Sequence, residues 1–174
     1  MKRNNIVIDN YINSLRFLRF QDKELRIFAC DLVDHFLENY SPVKGSQLNL
    51  IPAIIQAYGL NGLKELIDNQ RNKNTYEKNK IFWGFLHNVV FDDAADSGNS
   101  LRRFVVKELS AYRDESGAAI FDDEANYSDR VGKKKAKKEN NKMVERALNE
   151  LVKAFFEHFN CHYFYKTVKE RSRD

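Results

Sequence analysis

No glycine or proline interrupts the chain from Lys133 to Asp174. A backbone without its two strongest breakers stays helical wherever its apolar side chains find a surface. Val144, Leu148, Leu151, Val152, Phe155, Phe159 and Tyr163 recur at steps of three and four, the stripe of an amphipathic helix. The stretch predicts a helix of about 39 residues, about 59 Å long. That is longer than the core of one domain needs, and 174 residues are expected to make one domain, 1–174. The first turns, Lys133 to Lys142, carry no apolar stripe and are expected to project from the core or fray.

The rest of the chain reads as helices too. With 7 Gly and 2 Pro it lacks the turns that an all-β sandwich needs. Residues 3–20 place Ile8, Tyr11, Ile12, Leu15 and Leu18 near helical spacing, and Gln21 or Asp22 is expected to cap the next helix. There Leu25, Phe28, Ala29, Leu32, Val33, Phe36, Leu37 and Tyr40 alternate threes and fours. That helix ends before Ser41-Pro42, because a proline disfavours a helical residue before it. A linker, Val43 to Gln47, holds Lys44. Ser46 or Asn49 caps a short buried helix carrying Ile54, Ile55 and Tyr58. Pro52 fits its first turn if Asn49 is the cap and kinks it if Ser46 is. Gly59 supplies a positive φ at its end.

Asn61 is expected to open a short helix that dissolves into a polar loop, Asp68 to Asn74. Thr75 opens one reaching Phe91, with Tyr76, Phe82, Trp83, Leu86, Val89 and Val90 inward. Ser97 or Asn99 caps another, with Leu101, Phe104, Val105, Leu109 and Tyr112 inward. Residues 114–132 form an acidic, partly ordered loop that Ile120, Phe121 and Tyr127 pin in places. The class is therefore all-α: a compact multi-helix bundle of about six to seven helices with a long basic C-terminal helix. No apolar run is long enough to span a bilayer, no signal peptide is visible, and two cysteines make no disulfide framework, which together point to the cytoplasm.

Charge is concentrated at one end. Residues 131–174 hold 12 Lys and Arg against 6 Asp and Glu, while the remainder holds 17 against 19. A basic stripe is either the footprint of a nucleic acid or a solvated helix face. Its members are Lys133, Lys134, Lys135, Lys137, Lys138, Lys142 and Arg146, a set that neutralises phosphates without reading bases. Arg71 and Lys73 in the polar loop, with Lys44 in the linker, would extend the track.

Other constellations point less far. His158, Cys161 and His162 share a helix face, with Cys30 or His35 as a fourth ligand for zinc; a free cysteine is more often simply buried. Asp92, Asp93 and Asp96 could gather a divalent ion or cap helix ends. No phosphate-binding glycine loop, HExxH or nucleophile elbow occurs. The helical HEPN ribonuclease signature needs an Arg and a His separated by four to six residues. Neither Arg26 with His35 nor Arg146 with His158 has that spacing. No catalytic residue, metal or cofactor is expected.

One string goes further. Ile51-Pro52-x-x-Ile55-x-x-x-Gly59-Leu60 resembles the pattern Leu-Pro-x-x-Ile-x-x-Asn-Gly-Leu of the small subunit of type III-B CRISPR effector complexes, the Cmr small-subunit family. Leu63 and Leu66 follow it, and Phe82, Trp83, Phe85 and Leu86 stand where that family has a Trp-containing helix. Tyr58 replaces the Asn, Ile51 replaces the Leu, and the lysine that closes the pattern has no match unless Arg71 or Lys73 takes its place. The resemblance implies a small all-helical, non-enzymatic subunit of a crRNA-guided ribonucleoprotein. Several copies would stack along the filament beside the backbone and large subunits, their basic faces toward target single-stranded RNA. A helical nuclease or toxin of a defence system, or a basic module for an acidic protein partner, are the other classes open to such a chain.

Overall fold

The computed structural model describes residues 2–73, 76–92, 100–113, 116–121 and 128–171. Within them the chain is helical: α1 (Lys2–Ile12), α2 (Leu15–Arg19), a π-helical turn (Phe20–Glu24), α3 (Leu25–Asn39), α4 (Gly45–Leu48), α5 (Leu50–Lys73), α6 (Glu77–Phe91), α7 (Leu101–Ala111) and α8 (Arg130–Arg171). The expected all-α bundle with a long basic C-terminal helix is what forms. No helix among the described residues is long and apolar enough to cross a membrane.

The breaks have local causes. Ser14 Oγ accepts the Phe17 N–H and starts α2. Neither Gln21 nor Asp22 caps α3. The helix instead widens for one turn and runs on, a π-bulge that resets which side chains face inward. Phe20 lies on that turn, buried and stacked on Phe104 of α7 with centroids 4.0 Å apart. α3 ends where Pro42 requires, with Tyr40 extended. The cap of α7 is Ser100 rather than Ser97 or Asn99, which lie outside the described residues. Its Oγ accepts the Arg103 N–H and donates to the Asp92 carbonyl, joining the end of α6 to the start of α7. Of the expected acidic loop, Ile120 is buried and Phe121 partly so, while Tyr127 lies outside the described residues. The loop is shorter than 114–132, since α8 begins at Arg130 with Gly132 N–H bonded to the Asp129 carboxylate.

α8 is the axis. It packs against α3, α5, α7 and α1, and every residue of its predicted stripe is buried, with Ala147 and Phe156 added. Its aromatic half meets Phe82 from α6, 6.5 Å from Phe159 and 6.1 Å from Tyr163 by centroid. Phe28 of α3 packs on Phe155 at 6.0 Å. The Tyr163 hydroxyl, buried, accepts the Val43 N–H at 2.7 Å and donates to the Val43 carbonyl at 3.1 Å, fixing the linker before α4. The basic first turns neither fray nor stand wholly free. Ala136 is 1% exposed and Met143 6%, on the face away from Lys134 and Lys138. At 42 residues the helix is about 63 Å long.

Candidate nucleic-acid interface

Lys134, Lys138 and Lys142 are four residues apart, so they line up on one face of α8. With Lys137, Asn141 and Glu145 they border an open groove of about 480 Å³ on the surface of α8 alone. Lys142 and Glu145 are shared with a second cleft of about 700 Å³, which continues between α8, α7 and the middle of α5. Arg102 from α7 and Lys64 from α5 enter that cleft, with Arg146 and Asn149 from α8. Arg102 Nη2 donates to Asn141 Oδ1 at 3.4 Å, holding α7 against the groove.

The second cleft exists because α5 is bent. Gly59 has φ +61° and ψ −153°, a region essentially closed to residues with a side chain. The peptide reversal frees the Leu60 N–H, and Asn149 Oδ1 accepts it at 3.2 Å from across the cleft. A Cβ on Gly59 would meet that oxygen at 2.9 Å. Three residues on, a Cβ at Gly62 would fall well under 3.0 Å from the Tyr58 Cβ and 3.3 Å from Ile54 Cγ2. Gly59 thus permits the bend, and Gly62 lets the chain pass beneath Tyr58.

Tyr58 is turned outward as a result. The expected short buried helix holds for Ile55, 5% exposed, but Tyr58 is 70% exposed and lines the cleft. Pro52 takes the place the first alternative gave it, while Asn49 is helical itself and ends α4 (φ −65°, ψ −19°). Pro52 sits in the first turn of α5, where no N–H is required of it.

Carboxylates offset part of the charge. Asp9 of α1 pairs with Arg146, and Glu139 pairs with Lys142 at 2.9 Å. The hydrogen bond from Lys142 holds the Glu139 carboxyl below its ordinary range. Seven cations, Lys64, Arg102, Lys134, Lys137, Lys138, Lys142 and Arg146, face Asp9, Glu139 and Glu145.

The structure brings together only part of the predicted set. Lys133 and Lys135 are exposed but off the groove. Lys44 lies beside Val43 at the Tyr163 end of α8, about 25 Å along the helix from Arg146. Arg71 and Lys73 are not in a loop. α5 continues through them, since no glycine or proline stops it after Gly62. Arg71 instead lines a separate hollow of about 440 Å³ with Asn72, Glu77, Lys80, Ile81 and Gly84, and lies 3.9 Å from Asp68. Tyr76, expected inward, is 68% exposed. The residues that sequence reasoning missed are Tyr58, Lys64 and Arg102.

The His158–Cys161–His162 face serves otherwise. His162 Nε2 and Lys166 Nζ each lie 2.9 Å from Asp34 Oδ1, tying α8 to α3. Partial burial pushes the Asp34 carboxyl up, but the hydrogen bonds from Lys166 and His162 outweigh it and hold it below its ordinary range. Burial, then Asp34, push the Cys30 thiol up. Among the described residues no three His, Cys, Asp or Glu are grouped to hold a metal ion; Asp93 and Asp96 lie outside them.

No family model matches the chain, and no curated protein and no solved structure matches it either.

Proposed function

We propose that this chain is a non-catalytic, cytoplasmic RNA-binding subunit that holds the phosphates of a single strand along α8. One observation carries the reading. The lysine face of α8 and the cleft at the α5 bend share Lys142 and Glu145, so cations from α5, α7 and α8 lie side by side rather than scattered. A track of lysines binds a backbone and leaves the bases unread. That suits a protein whose target is selected by a guide strand. The Ile51-to-Leu60 resemblance supplies the setting: a small subunit of a crRNA-guided type III complex, stacked in several copies beside backbone and large subunits, against target RNA.

The test is the salt dependence of binding to a single-stranded RNA, measured by fluorescence anisotropy. The perturbation replaces Lys134, Lys138 and Lys142 together with Gln. Each neutralised phosphate contributes about 0.7 to the slope of log K against log salt for single strands. The triple variant is therefore expected to lower the slope by about 2. An unchanged slope and affinity would sink the reading. Co-purification with backbone subunits, retained by the triple variant, tests the assembly role separately.

A further inference from the structure

We infer that the cleft at the α5 bend is a nucleotide subsite, in which a base stacks on Tyr58 while its phosphate is held by Lys64, Arg102, Lys142 and Arg146. The inference deepens the proposal of RNA binding and rests on it for the source of the nucleotide.

Three observations converge on the cleft. The first is the ring itself. A tyrosine at 70% exposure leaves most of its aromatic surface in water, and no aromatic ring among the described residues packs against it. Tyr58 is also held there: Gly59 makes the turn that points it out, and Gly62 gives it a floor. The second is charge. Cations from three helices, α5, α7 and α8, converge where only Glu145 among the lining residues opposes them, with Asp9 reaching Arg146 from α1 and Glu139 pairing with Lys142. Leu60 and Asn61, which begin the resumed helix, line the same cleft, so the positive end of that helix dipole adds to the cations. The third is size. A volume near 700 Å³ falls within the range of about 300–1,000 Å³ that holds small ligands. A groove that ran only along phosphates would not need the ring.

Stacking suits any base, because every base has a π-face. The subsite is therefore indifferent to sequence and selective for an unpaired strand, since a base inside a duplex is already stacked. It would fix register on α8, with one nucleotide lodged at Tyr58 and the following phosphates running toward Lys138 and Lys134.

The experiment uses the full chain and a ten-nucleotide RNA carrying 2-aminopurine, whose fluorescence falls when it stacks. Quenching is expected with the unmodified protein and with Tyr58→Phe. Tyr58→Leu should abolish it and weaken binding roughly 5- to 150-fold. The salt slope should stay the same in Tyr58→Leu, because no charge is removed, whereas Lys142→Gln should lower it. Quenching and affinity both retained in Tyr58→Leu, while the α8 lysine variant still binds poorly, would overturn the subsite and leave the RNA-binding proposal standing. If the unmodified protein binds no RNA at low salt, that proposal fails instead. Titration with adenosine monophosphate then decides the cleft. Saturable binding lost in Tyr58→Leu keeps it as a site for a free nucleotide, and absence of binding overturns it.

Discussion

Alanine at position 62 ought to stabilise an ordinary helix, and here it should do the opposite. Gly62 lies within α5, where exchanging glycine for alanine normally gains roughly 0.5–1 kcal/mol. Residues four apart on a straight helix keep their Cβ atoms about 5–6 Å apart. The bend at Gly59 removes that spacing, so the new methyl would press on the Tyr58 Cβ and on Ile54 Cγ2, 3.3 Å away. A Cβ is anchored to the backbone and cannot swing aside. Relief requires moving α5, and overpacking of this kind costs about 1–3 kcal/mol. The balance is a net loss of about 1 kcal/mol, or a Tm lower by about 2–4 °C for a chain of this size.

Gly84→Ala is the control. Gly84 sits inside α6 with Arg71 Nε at 4.0 Å as its nearest neighbour, so the ordinary gain applies and Tm should rise by about 1–4 °C. Differential scanning calorimetry on both variants reads the difference. If Gly62→Ala rises alongside Gly84→Ala, Tyr58 is not held over Gly62, and the geometry argued for the cleft is wrong.

Three further outcomes follow from other parts of the molecule. Tyr163→Phe removes the hydroxyl that serves both polar groups of Val43; leaving them buried and unpaired should cost about 1–3 kcal/mol in chemical denaturation. Asp34→Asn should lower Tm near neutral pH, with the gap to the unmodified protein closing in acid. The Asp34 carboxyl is held below its ordinary 3.8, so its stabilisation is present above that value and is lost as pH falls through the lower folded one. Lys166, raised from 10.5 by its bond to Asp34, contributes below that value and loses its share as pH rises past the folded one. A gap constant from pH 7 to pH 2 would contradict the pairing. A thiol reagent should modify exposed Cys161 before Cys30, whose thiol burial pushes up; mass spectrometry of a partial reaction shows the order.

Much of the bundle was legible because helical spacing and burial coincide in it. Leu25, Ala29, Val33 and Phe36 on α3, and Val144 to Tyr163 on α8, are buried as their spacing requires. The boundaries were less so. Gln21 looks like a cap, yet a π-turn is decided by where Phe20 has to go, which is against Phe104, 84 positions on in the sequence. Arg71 and Lys73 look like loop residues because they are polar, although an exposed helix face is polar as well.

The candidate site shows the same division. Lys134, Lys138 and Lys142 could be seen to share a face. That Lys64 and Arg102 join them depends on the packing of α5 and α7 against α8, which no local pattern encodes. Tyr58 was misplaced because an aromatic residue beside Ile54 and Ile55 reads as core. Only the φ of Gly59 reveals that the stripe turns away there.

The central position of α8 also has a temporal side. Protein chains are made from the N-terminus onward, so the helix that α1, α3, α5 and α7 all rest against leaves the ribosome after every one of them. Until α8 has emerged, Phe28 of α3 lacks Phe155 and the Leu60 N–H of α5 lacks Asn149. The α5–α6 pair can form beforehand, but the core has no early nucleus spanning it. Translation that stopped before Val144 would release a chain with sticky, unpartnered helices, destined for chaperones or proteases. Only the finished helix gives α1, α3, α5 and α7 a surface in common to close on.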